Sequence, residues 1–277
     1  MTSIAEAFNT PANTARENTA TQNHAAENNA PHKAAFIPFV TCGDPNIETT
    51  KRIILAMQDA GASLIELGIP FSDPTAEGPV IQAANVRALA AGTTTDAIFT
   101  MVSDMQDDIH VPLVFMTYAN VVFSYGKERF MQRCHEVGIA GIILPDVPFE
   151  EKDEFEAVCE RYNVALISLI APTSHERIAT IAKNARGFIY LVSSLGTTGE
   201  RSYITTDLAS IVRTIRTHTT IPCAIGFGIS QPQQAAHMGA IADGVIVGSA
   251  IVKLVERYKN DAPQYVHEYI TSMIKAM

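Results

Sequence analysis

From Ala34 onward the chain alternates short, continuous apolar runs with segments whose apolar residues recur at helical spacing. The apolar runs are AAFIPFVT (34–41), LIELG (64–68), VPLVFMT (111–117), GIILP (141–145), ALISLI (165–170), GFIYLV (187–192), IPCAIG (221–226) and DGVIVG (243–248). Helical spacing follows each of them, over 47–60, 80–91, 127–137, 150–162, 174–184, from Asp207, after Ser230, and over 249–258. One more helix, over 95–106, is extra and starts at a Thr/Asp-rich cap. Runs that are apolar throughout are strands buried on both faces, and a helix after each makes the sheet parallel. Eight such units predict a single (β/α)8 TIM barrel with extra helices over residues 34–277. An open doubly wound sheet is the rival, but no G-x-G-x-x-G turn follows the first strand.

The first 33 residues break the pattern. They are rich in Ala, Thr and Asn and nearly free of large apolar side chains, so they bury too little to offset the entropy of ordering. The expectation is a disordered leader over 1–33, with at most one helical turn at Ser3–Phe8. Glu6, Glu17 and Glu27 argue against a transit peptide, and a signal-peptide core is not seen.

Composition adds limits rather than a fold. A 47% hydrophobic content with 18% charged residues supplies a large core. The formal charge of −9 speaks against a nucleic-acid or acidic-membrane surface, so an anionic substrate has to be held by local dipoles. Cys42, Cys134, Cys159 and Cys223 have neither close pairing nor metal-type spacing and read as reduced thiols of a cytoplasmic protein. No run approaches the ~18 apolar residues of a membrane span.

The candidate chemistry lies at the strand ends, where barrels of this kind carry their active sites. Glu66 sits inside an apolar strand, a position that is costly for a carboxylate without a purpose. The loop after it, GIPFSDPTAEGP, brings a second carboxylate, Glu77. Glu66 is therefore read as a catalytic acid–base, with the loop covering a substrate. GFGIS (226–230) and GSAIVK (248–253) place small residues between a strand and a helix start. Exposed N–H groups and the helix dipole there make an anion site, and both loops together point to a phosphate; the plainer reading is tight turns. SSLGTTGERSYIT is long for a strand-to-helix connection and reads as a lid, or else as an insertion without order. No lysine falls on a predicted strand end, which disfavours a Schiff base, and the histidines are scattered rather than clustered for a metal. What remains is metal-free acid–base chemistry by carboxylates on a phosphorylated substrate.

These motifs (FIPFVTCGDP, IELGIPFSDPTAEGP, YLVSSLGTTGERS, GFGIS and GSAIVK) resemble, in order and spacing, those of the tryptophan synthase α chain family. The resemblance runs from about Ala34 to the C-terminus and implies a lyase that splits indole-3-glycerol phosphate into indole and glyceraldehyde 3-phosphate. It also implies a partner in an α2β2 assembly, the β chain, which carries pyridoxal phosphate and consumes the indole; no cofactor is implied for this chain. Position by position, Glu66 matches the family's catalytic glutamate. Glu77 stands where the family usually has an aspartate, one methylene shorter. Phe39 and Phe227 match the indole-holding aromatics, Tyr190 the tyrosine of strand six, and Thr198 the lid threonine. Gly199, Gly228, Gly248 and Ser249 match the phosphate-binding set. Pro70 and Asp73, on the Glu77 loop, are read as partner contacts, against the alternative of a rigid turn. Two other functions fit parts of the pattern. One is a metal-free lyase or isomerase of another sugar phosphate. The second is a subunit whose main task is to activate a partner.

Overall fold

The computed structural model describes residues 3–8, 34–172, 175–192, 207–226 and 228–277. Their strands are β1 (Ala35–Thr41), β2 (Ile65–Gly68), β3 (Leu113–Met116), β4 (Ile139–Ile143), β5 (Ala165–Leu166), β6 (Ser168–Ile170), β7 (Ile189–Val192), β8 (Cys223–Gly226) and β9 (Gly244–Val247). All pair in parallel, in the order β5-β4-β3-β2-β1-β9-β8-β7-β6. β5 and β6 are two halves of one stave interrupted at Ile167: the lower half pairs with β4, the upper with β7. The Ile167 N–H still donates to Ile142 O at 2.9 Å, so eight staves close a barrel.

Parallel strands covered by helices are buried on both faces, as the apolar runs predict. Two cores result. Phe36, Val40, Ile65, Leu67 and Phe115 face the surrounding helices. Ile37, Phe39, Val114, Tyr190 and Ile246 fill the lumen. Helices follow the staves closely to the predicted limits, for example Ile47–Asp59, Pro79–Ala90, Thr95–Asp104 and Ser249–Tyr258.

Several elements differ from the predicted set, among them Ala119–Tyr125, a helix after β3 that lies outside it. The fourth strand spans Ile139–Ile143 rather than 141–145, with Gly141 inside it. A β-carbon at Gly141 would lie 2.9 Å from Ala165 O and 3.3 Å from Ile4 Cδ1, so the glycine serves a close approach and does not mark a strand start. The fifth run divides at Ile167. A helix at Ala262–Ala276, absent from the predicted set, buries Val266, Ile270 and Met273.

The leader also has a structured part. Ile4–Phe8 is a helical turn closed by a capping box, in which Ser3 N donates to Glu6 Oε2 at 2.6 Å and Glu6 N to Ser3 Oγ at 3.3 Å. Its Ile4, Ala7 and Phe8 enter the lumen core from the N-terminal ends of the strands, and Phe8 meets Phe188 at 5.7 Å. The expectation of disorder for the rest of the leader falls on residues 9–33, outside the described residues. No helix among the described residues is long and apolar enough to cross a membrane.

Candidate active site

At the other end of the barrel, the strands' C-terminal ends enclose a cavity of about 550 Å³. Glu66, Glu77, Phe39, Tyr190, Gly228, Gly248 and Ser249 all line it, so seven residues singled out in the sequence converge there. Thr198, Gly199 and Phe227 lie outside the described residues. Pro70 does not face this cavity; it borders a separate surface depression with Phe71, Leu89 and Asn120. Asp73 is exposed on the same loop, where its carboxylate accepts from Ser72 Oγ.

Glu66 is placed by register. It lies between Phe39 of β1 and Val114 of β3, both lumen residues, and is 1% exposed. Neither carboxylate oxygen has a hydrogen-bond partner among the described residues. Burial without compensation, with a lesser contribution from the charge of Glu77, pushes its pKa up to about 8. A group so placed holds its proton at neutral pH and can both give and take it.

Glu77 reaches the same cavity from the loop after β2 and is 6% exposed. Its Oε2 accepts from Asn85 Nδ2 at 2.7 Å, and its backbone carbonyl accepts from Gln82 Nε2 at 2.8 Å. Both donors belong to the helix Pro79–Ala90, which begins two residues later. Burial raises the Glu77 pKa to about 7, and the Asn85 hydrogen bond opposes the rise. The longer side chain thus still presents its carboxylate to the cavity, anchored by Asn85.

Asn85 and Tyr118, which the sequence reading did not single out, contact Glu77 and its loop. Tyr118 follows β3 and is 2% exposed. Its hydroxyl accepts from Ala76 N–H at 3.1 Å, and its ring stacks on Phe71 at 5.2 Å, so it holds the Glu77 loop at two points. The Phe39 ring lies over Gly68, where a β-carbon would come within 2.6 Å of Cζ. Tyr190 is seated in the same way over Gly226. Burial, with the nearby Glu66 charge, holds the Tyr190 hydroxyl well above its ordinary pKa, so it remains a neutral donor.

The anion end is polarised between two helix starts. The helix Pro232–Ile241 uses a capping box of its own, with Gln234 Oε1 also accepting from Ser230 N at 2.8 Å. The helix Ser249–Tyr258 has Gly248 as N-cap and no side-chain cap. The Ile251 N–H already bonds Gly248 O at 2.9 Å, so among the described residues the Ser249 and Ala250 N–H groups, with the helix dipole, remain available to a phosphate at the rim of the cavity, beside Gly228 at φ +79°.

Comparison with known proteins identifies a family for the chain. The family model described as tryptophan synthase alpha chain matches residues 25–277. The tryptophan synthase alpha chain of Lactiplantibacillus plantarum is 51% identical over 247 residues, covering 89% of this chain and 93% of that protein. Among solved structures, the alpha subunit of Legionella pneumophila superposes with a TM-score of 0.82 at 33% identity, covering 98% of each chain. The tryptophan synthase complex of Pyrococcus furiosus gives a TM-score of 0.81 at 31% identity, covering 88% of this chain and 99% of that one.

Proposed function

The chain belongs to the tryptophan synthase alpha chain family, and on that premise we propose how its cavity carries out the family's reaction. It is a lyase that cleaves indole-3-glycerol phosphate to indole and glyceraldehyde 3-phosphate, and its partner is the β chain, to which the indole passes.

Glu66 supplies the proton. Cleavage requires protonation of the indole ring carbon that bears the side chain, so that the ring can accept the bonding electrons. A base must then take the side-chain hydroxyl proton as the aldehyde forms. A carboxyl group kept protonated near neutrality serves both steps in turn. Glu77 accepts the indole N–H and stabilises the positive charge that grows on the ring. Phe39 and Tyr190 wall the indole slot, with Phe227 assigned to the same wall by its match to the family. The phosphate sits at Gly228, Gly248 and Ser249, and Thr198 and Gly199 are assigned to the lid over it. Pro70 and Asp73 are assigned to the β-chain contact. This chain needs no cofactor of its own; pyridoxal phosphate is the partner's. We place the enzyme in the cytoplasm.

The observation that carries this reading is the burial of Glu66 without a hydrogen-bond partner among the described residues, in a cavity that also holds Glu77 and ends at a helix N-terminus with no side-chain cap. The chain has no tryptophan, so indole can be followed optically without background from the protein. Purified chain given indole-3-glycerol phosphate is expected to release indole slowly alone and much faster with a β chain. Absence of release in both mixtures would overturn the assignment.

A further inference from the structure

Glu77 is oriented by a helix, which raises the question of what orients the helix. Half of the buried side chains of Pro79–Ala90 are small (Ala84 and Ala88 beside Ile81 and Asn85), and small side chains give little purchase against sliding or rotation. Arg87 supplies it. Its Nε and NH2 grip the two oxygens of Asp44 at 2.9 and 2.7 Å, while NH1 reaches Glu256 Oε1 at 3.0 Å.

Arg87 and its two partners come from three elements that border the site. Asp44, its side chain 2% exposed, lies in the turn after β1, the strand that carries Phe39. Glu256 lies on Ser249–Tyr258, the helix whose first turn faces the phosphate end. Arg87 itself is two residues beyond Asn85, the donor to Glu77. A planar fork that satisfies one carboxylate bidentately and a second with its remaining nitrogen fixes direction as well as distance.

We infer that Arg87 is a positioning residue for the lyase reaction: it locks the helix that aims Glu77 to the helix that anchors the substrate phosphate. The inference rests on the functional reading above. A phosphate held at Ser249 then has a continuous mechanical path to the carboxylate at the indole end, through Glu256, Arg87 and Asn85. Slackening that path displaces Glu77 in the transition state without removing any group that touches substrate. Glu77 is faced by Glu66 from β2, by Tyr118 from the end of β3 and by Asn85 from its own helix. Of these, Asn85 alone favours its charged form, so a helix that slips also lets the Glu77 pKa climb.

The test is steady-state indole release by the full chain with its β partner, as a function of pH, for Arg87→Lys, Arg87→Gln and Glu256→Gln. Arg87→Gln is expected to lower kcat by about 10- to 100-fold, the cost of a small misplacement of a catalytic group. KM should hold within about threefold, and the acid limb of kcat should move to higher pH. Arg87→Lys keeps one link and should fall between it and wild type. Glu256→Gln, altering the half-exposed partner, should lose about two- to fivefold, as expected for an ion pair in that setting. Folded Arg87→Gln with wild-type kcat and pH profile would overturn the inference, as would a fall in kcat with the acid limb unmoved. If Arg87→Gln does not fold, the other two variants decide by the same criteria. A wild-type chain that releases no indole would overturn the functional reading instead, before any variant is compared.

Discussion

Replacing Glu66 by glutamine should make the protein inactive and, with rising pH, progressively more stable than wild type. The folded chain keeps a proton on Glu66 up to about pH 8, whereas an unfolded glutamate releases it near 4.5. Between those values unfolding liberates a proton, so each added pH unit favours the unfolded state by about 1.4 kcal/mol. The stabilisation from a protonated Glu66 is thus complete below about pH 4.5 and lost as pH rises through about 8. Integrated from pH 6 to 8, and allowing for half-ionisation at the upper end, the loss is about 2 kcal/mol. Glutamine carries no proton to lose, and any fixed cost of burying its amide cancels when one variant is compared with itself at two pH values. Glu77 is present in both chains and drops out of the difference. At roughly 2 °C per kcal/mol for a chain of this length, the gap between variant and wild-type Tm should widen by about 4 °C from pH 6 to pH 8. Thermal melts by circular dichroism at the two pH values measure it, and indole release should be down by about 10²–10⁴-fold at both. Parallel Tm values across this range would show that Glu66 is not held protonated, and the acid role assigned to it would fall.

Three further outcomes follow from the geometry. Activity needs Glu66 protonated and Glu77 ionised, so kcat should peak between about pH 7 and 8 and decline on either side; Glu77→Gln should abolish the acid limb, and a limb that survives would assign it elsewhere. Phe8→Ala removes a buried ring at the end of the barrel remote from the chemistry. It should cost about 3–5 kcal/mol in urea titration while KM stays constant, and a changed KM would link the two ends. Ser249→Asp puts a negative charge where the phosphate is assigned; it should raise KM by at least about tenfold and abolish competition by glycerol phosphate, whereas unimpaired competition would move the phosphate away from this helix.

What the sequence made legible follows from what burial does to composition. Staves covered on both faces must be apolar throughout, so their number and order could be read directly, and a carboxylate inside one of them, Glu66, stood out against its neighbours. Where a residue's meaning depends on a contact distant in sequence, the same reasoning had nothing to work on. Gly141 looks like a strand boundary until Ile4 and Ala165 are brought against it. Ile4 and Phe8 look like isolated apolar residues in a polar leader until the lumen receives them. Asn85 resembles any helical asparagine, because the loop that returns Glu77 to it is visible only in three dimensions. Arg87, paired with partners 43 and 169 residues away, is the extreme case. The helix Ala262–Ala276 differs: Val266, Ile270 and Met273 carry the helical spacing in plain view.

The interruption at Ile167 bears on where the cavity is able to breathe. A complete hoop of parallel ladders resists dilation, since widening any gap means breaking a row of hydrogen bonds together. Here the stave leaves β4 at the Ile167–Ile142 bond, and its upper half is laddered only to β7. The cavity wall runs across that seam, through Leu144, Ile167, Ser168 and Leu169. In the order of staves the seam stands opposite β1, far around the ring from the β1–β2 ladder that sets Phe39 beside Glu66. The upper half of this stave is therefore held on one side, so the wall there can yield to a bulky aromatic guest while the β1–β2 ladder keeps the proton donor in place.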